Sequence, residues 1–402
     1  MKPPFLFTLL ILIGWSCETA HKKETTQVQN QTQTKQQTSP PSKQYQPSTK
    51  EKKLIGHGFD FQNNGKSETD TVELSQVFTK EIIDLEIAPL LTKDFQKGMS
   101  KNTAYLNKVK HKTLPATKNL SFSYIDLLNV SKTLGQVQPN QTFADLFEAH
   151  KIYGEDKMGN AHFTSYFIPI LKVKNKPDGE FKYPIYKKPS NWKGTLPTRI
   201  QIDKDGVLKG KGLEIAYASS LVDIHFMMVQ GSGYVEYPDG SQKLFSYGGK
   251  NGHKYVSLGR HLVEKGEVPA EEISLSTIKE WCANNPDKVE GLLFQNPSYV
   301  FFTPSDSQPV GAANVPLTDL HSVAVDKKFL PLGSILLGKV PVLDENNRFL
   351  KHEYRMLLSQ DVGGAIKGAG HIDIYAGVGP KAKSLADAMH HYGQIWLLLP
   401  KK

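Results

Sequence analysis

Residues 360–377 read QDVGGAIKGAGHIDIYAG. Two carboxylates, Asp361 and Asp373, stand 12 positions apart with four glycines between them, and the second falls in a run that alternates polar and apolar residues. A period of two is the mark of an extended strand, so His371, Asp373 and Tyr375 share one face while Ile372 and Ile374 take the other. Asp373 therefore points away from the isoleucines, toward whatever the polar face lines. The glycines let backbone approach a ligand closely. A phosphate loop is excluded, because Lys367 precedes a glycine where that motif needs Gly-Lys followed by Ser or Thr.

The neighbouring segments extend this β pattern. SVAVDKKFLPLG (322–333) places Val323 and Val325 on one face and ends its strand at Asp326 on the other; GSILLG, HEYRMLLSQD and QIWLLLP complete the set. One helix lies among them, PKAKSLADAMHHYG, with Ala382, Leu385, Ala386 and Met389 at core spacing and Gly393 as its C-terminal cap. From about 162 to 250, short apolar runs separated by Gly, Pro, Asn and Asp indicate further strands of a barrel or sandwich, including RIQIDKDGVLKGKGLEIAYA and DIHFMMVQGSGYVEYPDG. Two helices interrupt them: SLGRHLVEKGE, capped by Ser257 and stopped at Gly266, and SLSTIKEWCANNPDKVEGLLFQNP, broken near Pro286. Between about 70 and 155 the pattern is helical, in ELSQVFTKEIIDLEIAPLL, SKNTAYLNKVK, YIDLLNVSKTL and TFADLFEAHKIYG. In the last, Phe143, Leu146, Phe147 and His150 fall on one helical face after Thr142 as N-cap.

The chain has 402 residues and is 39% hydrophobic, enough for two or three domains. It opens MKPPFLFTLLILIGWSC, one lysine and an apolar run leading to Cys17, the layout of a secretory signal ending in a lipidation cysteine. That run is too short for a comfortable membrane span, which needs about 20 residues. Residues 18–53 are rich in Gln, Thr, Lys and Pro and cannot bury enough apolar surface to offset their ordering entropy, so they form a tether. The tether holds seven lysines and three glutamates, +4 of the chain's +9, which leaves the folded part only mildly basic and argues against a nucleic-acid partner. With Cys17 lipidated, Cys282 is the one remaining thiol; no disulfide can form within the chain, and Cys282 reads as a small core residue.

Metal chemistry lacks support: there is no HExxH, and neither aspartate has a histidine partner at a recognisable ligand spacing. Ser232 in QGSGY lacks the pattern of a nucleophile elbow. Carboxylate chemistry remains.

Six separated motifs carry a resemblance. QGSG (230–233), YGGKNGHKY (247–255), NPSYVFF (296–302), VPLT with SVAVDKKFLPLG (315–333), QDVGGAIKG (360–368) and HIDIYAG (371–377) occur in the order found in the membrane-bound lytic transglycosylase A family (MltA). The last part resembles the 3D domain, whose three aspartates map to Asp326, Asp361 and Asp373. The resemblance implies a mainly β protein with N-terminal helices, built from a double-psi β-barrel and an inserted second β-barrel domain with the substrate groove between them. The expected divisions are a lipoprotein signal at 1–17, a tether at 18–70, the barrel domain at 71–166 and 305–402, and the insert at 167–304. The implied activity is non-hydrolytic cleavage of the β-1,4 bond between N-acetylmuramic acid and N-acetylglucosamine in peptidoglycan, leaving 1,6-anhydromuramic ends. Carried over residue by residue, Asp373 is the acid and base, Asp361 its neighbour or an orienter of the groove, and Asp326 more structural. Thr164, Tyr166, Gln230, Ser232, Tyr247, Asn251 and Tyr255 are the implied glycan contacts. No cofactor or metal is implied. The implied setting is a monomer held by lipidated Cys17 at the periplasmic face of the outer membrane. The chain departs from the pattern at Ser165 and Phe167 in TSYFIP, at Val362 and at His321. A catalytically silent glycan-binding protein and an inverting hydrolase using Asp373 with Asp361 or Asp326 remain as alternatives at this level.

Overall fold

The computed structural model describes residues 77–114, 120–154, 159–269, 272–364 and 366–401. The signal, Cys17, the tether and the first residues of the expected barrel domain lie outside the described residues.

Fourteen strands are seen among the described residues, in two sheets. Those of the first are β1 (Phe78–Glu81), β2 (Phe147–Ile152), β3 (Ala161–Ile168) and, after a long excursion, β10 (Ser322–Ala324), β11 (Ile335–Leu343), β12 (Phe349–Asp361), β13 (His371–Val378) and β14 (His391–Pro400). The excursion supplies β4 (Ile170–Lys174), β5 (Tyr183–Tyr186), β6 (Glu214–Ala218), β7 (Gly233–Glu236), β8 (Gln242–Lys250) and β9 (Val300–Ser305). In the first sheet the order runs β1-β2-β14-β11-β12-β10-β13-β3, and β14 pairs with β3 as well, so six strands close into a barrel with β2 and β1 appended to β14. The pairs β3–β13 and β10–β12 are parallel. Closure removes free edges from the ring.

All six ring strands contribute to one apolar interior, through Phe163, Val323, Leu336, Leu357, Ile372, Ile374, Ile395 and Leu397 among others. The opposite faces of β11, β12 and β14 are apolar too: Ile335, Leu337, Met356, Leu358, Trp396 and Leu398 pack under Phe95, Val130, Leu134 and Phe143. Those last residues belong to the helices α1 (Lys93–Val109), α2 (Tyr124–Leu134) and α3 (Phe143–Leu146). Strands covered on both faces lose the polar–apolar alternation of a solvent-facing sheet. Alternation survives where a face has something polar to do, and β13 is such a strand.

The second sheet runs β5-β6-β4-β7-β8-β9 and curls until β5 and β9 touch, with no ladder between those two strands among the described residues. Its helices are α4 (Arg199–Asp203), α5 (Leu221–Gln230), α6 (Leu258–Glu264), α7 (Leu275–Asn284) and α8 (Val289–Leu293). Phe226 of α5 and Cys282 of α7 are buried together with Leu258, Leu262, Ile278 and Leu293, which places that thiol in a core. The final helix is α9 (Gly379–Ala388).

Several local expectations are overturned. The helical reading of residues 73–91 fails over its described part, which holds β1 and only a single short turn at Ala88–Leu90. The helix after Thr142 ends at Leu146, and Phe147 to Ile152, expected to continue it, form β2. Thr142 and Asp145 do make the capping box, but pairing of β2 with both β14 and β1 outweighs the local period. RIQID and DIHFMMVQ, read as strand material, lie in α4 and α5. A short, fully buried apolar run has no period to distinguish helix from strand, and the decisive signals in α5 are its ends. Ser220 accepts from Asp223 N at 3.1 Å, and Gly231 stops the helix at φ 80°. Gly393 does not cap α9, whose C-cap is Met389. It lies inside β14, where a Cβ would stand 2.2 Å from the Lys339 carbonyl, so its lack of a side chain permits the close approach of β11.

Candidate active site

β10 is only three residues long, yet it sets the site. Ala324 pairs with Asp361 of β12 on one side and with Asp373 of β13 on the other. The 12-residue spacing in sequence thus becomes a gap of two strand spacings, roughly 10 Å between backbones. On the far side of β13, Asp373 pairs with Thr164 and Tyr375 with Tyr166, both on β3.

Asp373 has the parity read from the sequence: Ile372 and Ile374 enter the barrel interior. Its own carboxyl lies outside that interior with Thr164, whose Oγ1 donates to Asp373 Oδ1 at 2.8 Å. Asp373 Oδ2 has no protein partner among the described residues. Asp361 is held more fully. Its Oδ2 accepts from the Tyr166 phenol at 2.8 Å, and its Oδ1 accepts from Ala312 N at 2.9 Å and Val362 N at 2.8 Å.

Both carboxyls are 0% exposed. Burial disfavours the charged form and dominates both titrations. It lifts Asp361 to about 7, against the pull of the Val362, Tyr166 and Ala312 hydrogen bonds. It lifts Asp373 to about 8, opposed by Thr164 and reinforced by the charge of Asp361. Tyr166, Ala324, Leu317, Ile366 and Tyr375 form a small apolar cluster with Leu244 of β8, and Tyr234 of β7 packs against it. The cluster joins the two sheets beside Tyr166, whose phenol bonds Asp361.

Asp326 does not join the pair. Half-buried two residues past β10, it accepts from Lys328 N at 3.1 Å and Gly368 N at 3.2 Å, and so pins the end of the glycine-rich segment to the turn after β10.

The other sequence-predicted contacts differ in what surrounds them. Thr164 and Tyr166 bond the two carboxylates. Gln230, the last residue of α5, and Ser232 just beyond its cap are buried, with Gln230 Oε1 and Ser232 Oγ unpartnered among the described residues. Tyr247 is half-buried in β8 beside an irregularity in its pairing with β9. Tyr255 lines a cavity of about 460 Å³ with Arg199, His225, Lys254, Asn296 and Gly364, the last from the segment that follows Asp361. Asn251 is occupied structurally: its amide donates to the Pro197 and Pro297 carbonyls, both at 2.9 Å, and its oxygen accepts from Tyr299 N at 2.9 Å.

Sequence reasoning missed Arg199 and His225, because both lay in segments read as strands, and it missed Ala312 N, whose 49-residue separation from Asp361 leaves no local trace. His371 was placed on the correct face but given no role; its Nε2 lies 3.1 Å from Thr164 Oγ1.

The MltA specific insert domain matches residues 162–303 and the 3D domain matches residues 321–399. Membrane-bound lytic murein transglycosylase A of Escherichia coli K12 is 45% identical over 255 residues, covering 62% of this chain and 69% of that protein. The crystal structure of E. coli MltA with bound chitohexaose superposes with a TM-score of 0.65 at 34% identity, over 83% of this chain and 96% of that one. A membrane-bound lytic murein transglycosylase from Agrobacterium tumefaciens superposes at 0.64 with 29% identity, over 80% of this chain and 98% of the other.

Proposed function

Because the chain belongs to the membrane-bound lytic murein transglycosylase A family and is a peptidoglycan lytic transglycosylase, we propose that Asp373 performs the cleavage alone, first as acid and then as base. The observation that carries this reading is a buried carboxyl with one oxygen held by Thr164 and the other unpartnered. A group raised to about 8 is mostly protonated at neutral pH, which is the state a general acid needs.

In the proposed reaction Asp373 gives its proton to the glycosidic oxygen as the bond from C1 of N-acetylmuramic acid to O4 of N-acetylglucosamine breaks. The C6 hydroxyl of the same muramic residue closes on C1, and its proton passes to the Asp373 carboxylate, restoring the acid. An ordinary glycosidase needs a second carboxyl as nucleophile or to activate water. Here the substrate supplies the nucleophile, so one residue suffices. Asp361 raises the proton affinity of Asp373 through its charge, and Asp326 fixes the glycine-rich segment.

The glycan path is assigned to the seam between the two sheets, with residues 167–304 as the insert and residues 71–166 and 305–402 as the barrel domain. Gln230 and Ser232 supply hydrogen-bonding atoms, and Tyr247 and Tyr255 supply faces on which sugar rings stack. The bound chitohexaose of the E. coli relative supports an oligosaccharide as the ligand class. Asn251, committed to backbone, shapes this path without touching sugar. The protein acts as a monomer, and lipidation at Cys17 holds it to the outer membrane facing the peptidoglycan.

Mass spectrometry of the products from purified peptidoglycan tests the assignment. Fragments ending in 1,6-anhydromuramic acid are expected from the wild type and none from Asp373→Asn. Products heavier by one water would identify a hydrolase instead.

A further inference from the structure

We infer that His371 is a positioning residue: acting through the Thr164 hydroxyl, it dictates which oxygen of Asp373 carries the acid proton. The inference rests on the assignment of Asp373 as the acid and adds to it a reason for the direction in which that acid delivers.

Thr164 Oγ1 lies between two buried groups, 2.8 Å from Asp373 Oδ1 and 3.1 Å from His371 Nε2. The register builds this contact, because Asp373 pairs with Thr164 and His371 with His162 along parallel β13 and β3. A hydroxyl has one proton and two lone pairs. With that proton directed at Oδ1, the contact to His371 closes only when Nε2–H is the donor. Burial, and then the neighbouring His390, hold the His371 ring near a pKa of about 3, so the ring is neutral and has a single N–H, which this arrangement places on Nε2.

The result is a chain with one polarity: His371 Nε2–H donates to Thr164 Oγ1, and Thr164 O–H donates to Asp373 Oδ1. Each link strengthens the next. Oδ1 is thereby occupied as an acceptor, and the proton of neutral Asp373 resides on Oδ2, the oxygen with no partner among the described residues. The reverse polarity needs the other His371 tautomer and places the acid proton on Oδ1, aimed at Thr164 rather than at a substrate.

The surroundings keep His371 from charging. His162 stacks on it at 5.3 Å, and His162 in turn contacts His390 at 6.0 Å and Tyr392 at 5.2 Å. His162, His390 and His391 are all pushed toward the neutral form by burial. On the other side of the chain Asp361 and Tyr166 are the titratable groups that interact with Asp373, and of these Asp361 is the one whose charge acts on it.

The test is the pH dependence of kcat and kcat/KM for release of anhydromuropeptides, with Asp373→Asn as reference. His371→Leu and Thr164→Val each remove support for the carboxylate, so the pKa of Asp373 rises and the alkaline fall in activity moves up by about half to one pH unit. In both variants kcat drops about ten-fold with little change in KM. The double variant is no worse than either single one, because both break the same chain. His371→Gln, whose amide N–H replaces Nε2–H, and Thr164→Ser return the alkaline limb to its wild-type position. A His371→Leu enzyme with the wild-type limb overturns the inference, as does a double variant in which the two losses multiply. Should His371→Leu fail to melt cooperatively, Thr164→Val against Thr164→Ser decides, and coincident limbs in that pair overturn it equally. An active Asp373→Asn enzyme overturns the acid assignment instead, a separate outcome.

Discussion

Asp361 and Asp373 flank the same alanine and are equally buried, yet the protein surrounds them differently. Asp361 accepts three hydrogen bonds, two of them from backbone N–H groups; Asp373 accepts one, from a side chain. Donors stabilise the anion and burial opposes it, so the better-supported carboxyl stays near 7 while the other reaches about 8. The difference separates a group locked into the fold from one left with an unpartnered oxygen, and it is the second that suits proton transfer.

The largest effect that could break this comparison is at Asp373. Asp373→Asn is expected to lower turnover on the order of 10³-fold or more, read as anhydromuropeptide release. The same substitution stabilises the fold. Asp373 has a folded-state pKa raised from 3.8 to about 8, so the folded chain binds the extra proton and loses stability as pH rises between those values. A permanently neutral asparagine escapes that loss. Its melting temperature should exceed the wild type's by a few degrees at pH 8, with the gap closing toward pH 4, and a gap that widens as pH falls would contradict the buried-acid reading.

Asp361→Asn comes next. It removes the charge that raises Asp373, so the alkaline limb of kcat/KM should move to lower pH by roughly half a unit, opposite to the shift expected at Thr164 and His371. Tyr166→Phe leaves Asp361 in place but strips one of its three donors. The cost is about 1–3 kcal/mol of stability in denaturant titrations, and the limb shifts less than in Asp361→Asn. Asp326→Asn, with no hydrogen bond to either carboxyl of the pair among the described residues, should leave the limb unmoved and change KM by no more than about three-fold through a loosened glycine-rich segment.

Much of this site was legible in one strand. Period-two alternation in HIDIY fixed the side on which Asp373 emerges, because side chains of a strand must alternate whatever the strand packs against. The six motifs identified the family because their order and chemistry persist together. Local reading failed where two structures share one composition. Ile224–Gln230 is buried all round, so nothing periodic separated helix from strand there, and the caps of α5 were the usable signal. Phe147–Ile152 fits a helical period, but its partners lie on β1 and β14, far away in sequence.

By itself the sequence determined which residue types could do acid–base chemistry and which way Asp373 faces, since both follow from side-chain identity and backbone geometry. Only the tertiary structure decided that Asp361 and Asp373 stand on either side of Ala324, that Ala312 contributes a donor, and that both carboxyls are dry. Proton affinity depends on burial and on partners brought from remote strands, and neither is a property of the local chain.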